Sequence, residues 1–396
     1  MVYQIIIYLW YLFQLLIGFN LYFPIILLIS YTLFVRKRKS IALLPNAQEN
    51  DYAIIVTAYQ EISHIPQTVN SLLELSYKKF LIYLVLDNCD DISSLVFNDE
   101  RVIILKPETV LAGNTKSHFY AIERFVRNHN ILTIIDSDNL VDQAYLTELN
   151  VLFSAGFRAV QGVRSAKNMD TNYAKLDAAR DLYYHFYDGL VLYKLGSSAT
   201  LAGSGMAFHT SLYKECLQNN PVSGAGFDKV LQYELLKRNE RIAFAEHAIV
   251  YDQKTSRPDQ LVNQRSRWIN TWFKYFKYGF FIIGRGLKNF SFNQLLFGVT
   301  LLRPPLFMFL VVSLFLLIVN LIMLQLASAL FFVFGFVSFV LAFYLSLVHS
   351  NADSRIYNAL VSIPKFMFLQ IVSLIHSRNA NKRSVATRHF NDNNKE

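Results

Sequence analysis

Two long stretches of this 396-residue chain carry no charged side chain. Residues 1–35 and residues 304–352 contain no Asp, Glu, Lys or Arg, whereas charge returns between them and after them. About 20 apolar residues of helix suffice to cross a hydrocarbon core about 30 Å thick. Because 53% of residues are hydrophobic and only 17% are charged, the chain is more apolar than a soluble enzyme usually is. The pattern predicts an integral membrane protein with a globular domain between apolar segments.

The apolar segments differ in what they predict. Segment 1–35 has no basic start and no small-residue cleavage site, so it predicts one transmembrane helix rather than a signal peptide. Segment 296–352 is long enough for two transmembrane helices. Segment 355–377 carries Lys365, whose charge is costly at mid-membrane, and it predicts an interfacial helix. The mixed aromatic and basic segment 268–293 predicts an interfacial amphipathic helix as well.

Basic residues beside the apolar blocks indicate an orientation. Arg36 to Lys39 follow the first block, and the tail 378–396 is basic. Such residues mark the cytoplasmic side, so we expect a multi-pass protein of the cell membrane with a cytoplasmic catalytic domain. The same placement predicts that the net charge of +9 meets lipid headgroups and not nucleic acid. Two cysteines fit a reducing compartment, and partner subunits are left open.

Between residues 48 and 267 apolar runs alternate with helix-like stretches. Four runs predict buried strands, and their alternation with helices predicts a parallel α/β sheet; they are 52–56, 80–86, 102–105 and 131–135. Acidic residues follow three of these strands, at Glu61, Asp87 and Asp136. Because ligands bind beyond the carboxyl ends of such strands, these acids predict a binding site.

The sequence Asp136-Ser137-Asp138 directly follows a buried strand. Two carboxylates at this spacing share a hard divalent cation with the phosphates of a substrate. The cation would offset the charge that builds on a departing diphosphate. The alternative is structural, because Asp138 is also a suitable cap for the next helix.

The sequence Gln264-Arg265-Ser266-Arg267-Trp268 opens the aromatic segment. An arginine offers a planar fork for phosphate oxygens, and a tryptophan offers a flat surface for a sugar ring. The alternative is an interfacial anchor, with Trp268 among lipid headgroups.

In this order the motifs resemble those of the membrane-bound, inverting family 2 glycosyltransferases, the group of cellulose, hyaluronan and poly-N-acetylglucosamine synthases. The resemblance covers residues 48–275 in detail and includes a Q-x-x-R-W motif at Gln264, Arg267 and Trp268. It implies an α/β catalytic domain that is GT-A-like and Rossmann-related, inserted between transmembrane helices. The implied activity is metal-dependent sugar transfer from a nucleotide diphosphate sugar, such as a UDP-sugar.

The resemblance also implies roles for individual residues. Asp228 is the implied general base, and Asp138 holds Mg²⁺ or Mn²⁺. The implied donor-binding residues are Ala58, Glu61, Asp87, Lys116, Asp136, Ser137 and Arg267. The implied acceptor-binding residues are Gly203, Ser204, Gly205, Gln264 and Trp268.

Phe227 is a departure from the family pattern, which usually has Glu before the base. We expect the pKa of Asp228 to be raised less by like-charge repulsion than in relatives. Glu234 is the alternative base.

The sequence leaves the acceptor open. A growing polysaccharide and a lipid-linked acceptor both fit, as does a single addition to a lipid or polyprenyl-phosphate carrier. A non-catalytic membrane scaffold or transporter subunit is the alternative outside the enzymes. No residue predicts which sugar is transferred.

Overall fold

The computed structural model describes residues 1–35, 49–93, 95–220, 222, 225–378 and 380. Within them eight strands form one sheet, in the order β3-β2-β1-β4-β7-β6-β8-β5. The strands are β1 (Tyr52–Tyr59), β2 (Phe80–Asp87), β3 (Val102–Leu105), β4 (Ile131–Asp136), β5 (Leu140–Val141), β6 (Ala159–Ala166), β7 (Met206–His209) and β8 (Ile242–Asp252).

Helices cover both the sheet and the apolar ends of the chain. Those up to the end of the sheet are α1 (Val2–Phe34), α2 (Ile65–Leu73), α3 (Asn114–Ile122), α4 (Tyr145–Ser154), α5 (Asn172–Tyr184), a π-helix (His185–Val191), α6 (Leu192–Lys194), α7 (Thr210–Leu217) and α8 (Phe227–Lys237). Those after it are α9 (Pro258–Tyr275), α10 (Tyr278–Asn289), α11 (Phe292–Leu302), α12 (Leu306–Ile322), α13 (Leu326–His349), α14 (Ser354–Ala359), a 3₁₀ turn (Leu360–Ser362) and α15 (Ile363–His376).

The four strands predicted from apolar runs are parallel neighbours in the sheet. The side chains of β1, β2 and β4 are buried on both faces, which is why these strands appear in the sequence as continuous apolar runs. The run 102–105, predicted to be buried as well, forms the edge strand β3 and is only partly buried. Beyond β4 the sheet is mixed, because β7 runs antiparallel to both β4 and β6. At the carboxyl edge Thr57 lies opposite Asp136, and Tyr59 lies opposite Asp87. The strand ends that carry Asp87 and Asp136 therefore flank the end of β1 at one edge of the sheet.

The N-terminal helix α1 packs against α12 and α13. Gly335 of α13 lies so close to Leu21 that an added Cβ would approach its side chain to 2.9 Å. Small residues allow helices to approach in this way where packing has to hold them together in an apolar surrounding. The hydroxyl of Tyr22 also donates to the carbonyl of Phe331 at 2.6 Å. The two charge-free blocks of the sequence therefore form one helical bundle.

Among the described residues, three helices are long and apolar enough to cross a membrane, namely Val2–Phe34, Leu326–His349 and Ser354–His376. Helices α11 and α12 satisfy the same criteria together, but they are bent by 67°. The third of the three corresponds to the segment 355–377, which the sequence predicts to be interfacial. Length and composition therefore admit a span at this segment, and its interfacial placement stays a prediction.

Two predicted boundaries differ from the structure. Segment 268–293 begins in the middle of α9 and contains a second helix, α10. The composition changes at Trp268, but the ladder of backbone hydrogen bonds continues because it does not depend on side-chain polarity. Segment 296–352 begins inside α11, which ends before Pro304 and Pro305, where proline cannot donate to the ladder. The predicted charge cluster 36–39 and most of the basic tail lie outside the described residues.

Candidate active site

A cavity of about 1510 Å³ lies beyond the carboxyl ends of β1 and β4 and extends to α12, α13 and α15. Its catalytic-domain end is lined by polar side chains, which include those of Glu61, Asp136, Asp138 and Asp228. These residues come from β1, β4 and α8, so residues far apart in sequence meet at one end of the cavity.

The turn at Asp136, Ser137 and Asp138 is held from both sides. The hydroxyl of the buried Ser204 accepts the Asp136 N–H at 3.1 Å and an amide hydrogen of Asn139 at 2.7 Å. On the other side Thr68 of α2 donates to the Ser137 carbonyl at 2.8 Å. Buried hydrogen bonds of this kind fix a loop in one conformation because leaving them unmade is costly. The turn is therefore pre-formed.

The carboxylate of Asp136 lies among other carboxylates. Burial, and then the nearby Asp138, raise the pKa of Asp136 to about 7; Asp252 and Asp228 act in the same direction, and Arg164 opposes them. Like charges at one site disfavour ionisation in this way. A bound cation would relieve this repulsion.

Asp228 lies in the first turn of α8, directly after Gly226 and Phe227. Its carboxylate pairs with Lys229 at 3.1 Å, and Lys229 in turn donates to the Leu201 carbonyl at 2.9 Å. Phe227, which replaces the carboxylate of the family pattern, packs edge-on against His118. Asp228 therefore reaches the cavity from a helix start that is fixed by packing and by an ion pair.

Glu234, the alternative base, lies on a different side of α8. It is only 5% exposed and pairs with Arg238 at 2.5 Å and Lys237 at 3.3 Å. It lies outside the cavity lining that the described residues form. The geometry therefore favours Asp228 over Glu234.

The predicted donor-binding residues separate into two groups. Glu61, Asp136, Ser137 and Arg267 line the cavity, whereas Ala58, Asp87 and Lys116 lie outside the lining formed by the described residues.

The carboxylate of Asp87 holds a loop beside the strand ends. Its two carboxylate oxygens accept the backbone N–H groups of Leu111 at 2.9 Å and Ala112 at 2.8 Å, which anchors the loop before α3. On α3 it is Asn114 that lines the cavity. Lys116 is two residues further along and therefore rotated by about 200° around the helix, so it is exposed elsewhere.

The predicted acceptor loop separates in the same way. Gly203 lines the cavity, while Ser204 is fully buried and holds the Asp136 turn as described above. Gly205 is inside the sheet, where its N–H donates to the Ile134 carbonyl at 2.9 Å. Because small size and a hydroxyl serve both ligand binding and close packing, the sequence alone does not separate these roles.

Gln264, Arg267 and Trp268 all line the cavity from α9. The Trp268 ring is 40% exposed, and the guanidinium groups of Arg265 and Arg180 lie 4.0 Å and 4.5 Å from its centroid. These cation–π contacts hold the Trp268 ring in place.

Sequence reasoning missed a chain of buried ion pairs along the wall of the cavity, and most of its members line the cavity. Arg164 pairs with Asp252 at 2.7 Å, and Lys254 bridges Asp252 and Asp181. Arg180 and Arg265 continue the chain to Asp177 on α5. Burial opposes ionisation of Asp252, but Arg164 and Lys254 lower its pKa to about 2. Asp252 ends strand β8, so an acid at a strand end was the signal that could have found it.

The site fits a hard divalent cation. Its candidate ligands are carboxylate oxygens, which Mg²⁺ and Mn²⁺ prefer. Within the described residues no group of three or more His, Cys, Asp or Glu side chains is arranged to hold a metal by itself. A cation at Asp138 would therefore share its coordination with oxygens of the substrate.

Comparison with solved structures identifies the fold. The mannosyltransferase PcManGT from Pyrobaculum calidifontis, solved with GDP-Man and Mn²⁺, matches with a TM-score of 0.55 at 13% identity, over 92% of this chain and 97% of that one. Residues 1–349 of TarS from S. aureus, solved with UDP-GlcNAc, match more weakly, with a TM-score of 0.42 at 14% identity, over 84% of this chain and 90% of that one. No curated protein matches this sequence. The fold is a GT-A-like glycosyltransferase fold with a mixed sheet.

The family model described as glycosyltransferase like family 2 matches residues 49–271, which is more than half of the chain. The match contains the four parallel strands, the Asp136 to Asp138 turn, Asp228 and the cavity face of α9 as far as Thr271. The chain belongs to the glycosyltransferase like family 2.

Proposed function

We propose that this chain transfers a sugar from a nucleotide diphosphate sugar to an acceptor hydroxyl with inversion at the anomeric carbon. The observation that carries the proposal is the convergence of Asp136, Asp138 and Asp228 on one end of the cavity. The donor is a UDP-sugar in this proposal, and the acceptor is a growing polysaccharide or a lipid-linked glycan at the cytoplasmic membrane face.

The donor lies along the strand ends, with its diphosphate beside Asp136 and Ser137 and its base towards Glu61. Asp138 would hold Mg²⁺ or Mn²⁺, which supplies charge neutralisation for the departing diphosphate. Arg267 has the planar donor group that suits diphosphate oxygens. The loop held by Asp87 supports the base end of this pocket.

Asp228 acts as the general base. It removes the proton of the acceptor hydroxyl while the acceptor oxygen bonds to the anomeric carbon on the face opposite the diphosphate. The bond between the anomeric carbon and the diphosphate oxygen breaks, and the nucleoside diphosphate leaves with the electron pair. One such displacement inverts the configuration. Gly203, Gln264 and Trp268 line the cavity where the acceptor sugar would lie.

Asp228→Asn tests this assignment. General-base catalysis contributes about 10²–10⁴-fold, so we expect sugar transfer to fall by at least about 100-fold. Binding of the nucleotide should remain within about twofold, because Asn keeps the size of Asp and the nucleotide lies on other residues. Transfer is measured with purified protein in nanodiscs, a panel of radiolabelled nucleotide sugars and Mn²⁺. Binding is measured with UDP and GDP by calorimetry.

Asp259→Asn is the matched control, because Asp259 is an acid in the first turn of a neighbouring helix and lies outside the cavity lining of the described residues. We expect it to retain full transfer. Full transfer by Asp228→Asn would remove Asp228 from the role of base. If the unmodified protein neither hydrolyses nor transfers from any donor with Mg²⁺ or Mn²⁺, the scaffold alternative is favoured instead.

A further inference from the structure

The cavity is larger than one nucleotide-sugar site requires. Binding sites for small ligands measure about 300–1,000 Å³, and this cavity measures about 1510 Å³. The additional space lies between α12, α13 and α15, and we name it the apolar arm. It joins the space around Asp136 and Asp228 without a separating wall, because all of these residues line one cavity.

The apolar arm is lined by helical stripes. Side chains four residues apart lie on one face of a helix. Rows of such side chains on α12, α13 and α15 face the arm. On α12 and α15 they are Leu306, Leu310, Leu314 and Ile363, Met367, Ile371. These six side chains suit a long hydrocarbon chain, and the polar side chains that the described parts of α12, α13 and α15 add to the lining are Tyr344 and Gln370.

Arginine side chains line the cavity where its polar and apolar ends meet. Arg303 lies at the bend between α11 and α12, where one of its nitrogens donates to Asp188 at 2.8 Å. The Trp272 indole donates to the Arg303 carbonyl at 2.9 Å, which ties the bend to α9. Arg267 lies on α9, little more than one helical turn before Trp272, and lines the same cavity. A second Arg303 nitrogen donates to the Tyr183 hydroxyl at 3.2 Å, so the ion pair and these hydrogen bonds fix the bend where the two ends of the cavity meet.

We infer that the apolar arm holds the hydrocarbon chain of a lipid-linked sugar acceptor, with the acceptor's sugar hydroxyl at Asp228. The inference rests on the proposed transfer reaction and selects one acceptor class for it. A lipid phosphate alone offers no hydroxyl proton for Asp228 to remove, whereas a sugar on a lipid phosphate does. A chain in the arm also leaves the acceptor sugar beside Trp268.

Two neighbouring valines of α13 provide a matched test. Val340 and Val337 are 63% and 61% exposed, but only Val340 belongs to the cavity lining that the described residues form. Val340→Trp fills part of the apolar arm, and Val337→Trp adds the same bulk outside it. Both variants face apolar surroundings, so an effect on folding should be shared.

The acceptors are prenyl diphosphate sugars with glucose, galactose, mannose or N-acetylglucosamine, each made with a C25 chain and with a C10 chain. The donors are the radiolabelled nucleotide sugars, with Mn²⁺. We expect the C25 acceptors to react with a KM at least about tenfold lower than the C10 acceptors, because a longer chain buries more apolar surface. In Val340→Trp this difference should fall below threefold with donor hydrolysis unchanged. Val337→Trp should behave like the unmodified protein.

Equal KM values for both chain lengths, or equal losses in both tryptophan variants, would overturn the inference. The inference would also be overturned if the donor were hydrolysed and the label appeared only in water-soluble oligosaccharide. The proposed transferase function would still stand in that case. Absence of donor hydrolysis under all conditions would instead contradict the proposed function itself.

Discussion

Asp136 shows how a single residue combines an expected role with an unexpected environment. The position after a buried strand predicts a diphosphate or metal site, and the side chain does line the cavity. The sequence does not indicate that Asp252 and Arg164 lie beside it, since these residues belong to strands on the far side of β7. Its pKa, and therefore its charge near neutral pH, depends on these tertiary neighbours.

His118 supplies a pH-dependent prediction at the scale of one residue. It is buried, its Nδ1 lies 2.7 Å from the Tyr213 hydroxyl, and burial lowers its pKa to about 3. Between pH 3 and 6.5 the unfolded chain therefore binds a proton at this position that the folded protein does not. The stability contribution is complete above about pH 6.5 and is lost as the pH falls below it. Between pH 6.5 and pH 5 we expect this residue to lower the free energy of unfolding by about 2 kcal/mol.

The measurement is the melting temperature in detergent, followed by tryptophan fluorescence at pH 7 and pH 5. His118→Gln should lose less of its melting temperature on acidification than the unmodified protein. His247→Gln is the control, because His247 is exposed, and it should follow the unmodified protein. An unchanged pH response in His118→Gln would contradict the assignment.

At the scale of elements, the active site depends on how α8 and α9 meet. Gly226 precedes α8 with a φ of +98°, and an added Cβ would lie 2.7 Å from Tyr275 and 2.8 Å from Thr271 of α9. Both the backbone conformation and the close approach therefore require glycine. The start of α8 carries Asp228, and α9 carries Arg267 and Trp268, so this contact sets the distance between the groups.

Gly226→Ala tests this contact against Gly196→Ala. Gly196 has a φ of +100° but open space around an added Cβ. Both variants should lose about 1 kcal/mol of stability, because alanine is strained at positive φ. Only Gly226→Ala should lower kcat, by about tenfold or more, since the clash displaces Asp228. Parallel measurements of urea unfolding and sugar transfer separate the two effects, and an equal loss of kcat in both variants would show that backbone strain alone is responsible.

At the scale of the whole molecule, the bundle of α1, α12 and α13 holds the catalytic domain beside apolar helices. Helices α14 and α15 pack on α5 and α9 of that domain, and Lys365 lies 5.7 Å from the Tyr173 ring. These contacts with the domain support the interfacial placement of segment 355–377. Cysteine labelling tests how the molecule is oriented in the membrane.

Two exposed positions are suitable sites for cysteine probes of the predicted membrane topology. Val96 in the catalytic domain is 74% exposed, and Leu324 in the turn between α12 and α13 is 88% exposed. A membrane-impermeant maleimide should label Leu324→Cys in intact cells and Val96→Cys only after the cells are opened. The native Cys89 and Cys216 are buried, so the unmodified protein serves as the control for background labelling. Labelling of Val96→Cys in intact cells would reverse the proposed orientation.

Arg378→Cys separates the two placements of the last helix. If segment 355–377 is interfacial, this cysteine should be labelled only in opened cells. Labelling in intact cells would mean that Ser354–His376 crosses the membrane.

The sequence by itself determined the features that depend on local composition and spacing. Parallel strands that are buried on both faces are apolar along their length, so β1, β2 and β4 and the acids at or after their ends are visible in the chain. Charge-free blocks likewise show where an apolar surrounding is required, because a charge there would cost several kcal/mol. The order of motifs then predicts a GT-A-like fold and glycosyltransferase family 2, and both are confirmed, whereas the synthase-like group within the family stays a prediction.

Only the tertiary structure decided which members of each motif reach the cavity. Ser204 and Gly205 turn into the protein while Gly203 faces the cavity, and Lys116 points away while Asn114 points towards it. The buried ion pairs along the cavity wall and the apolar arm join elements that are distant in sequence. No local pattern encodes such contacts, because packing, and not spacing along the chain, determines which side chains meet.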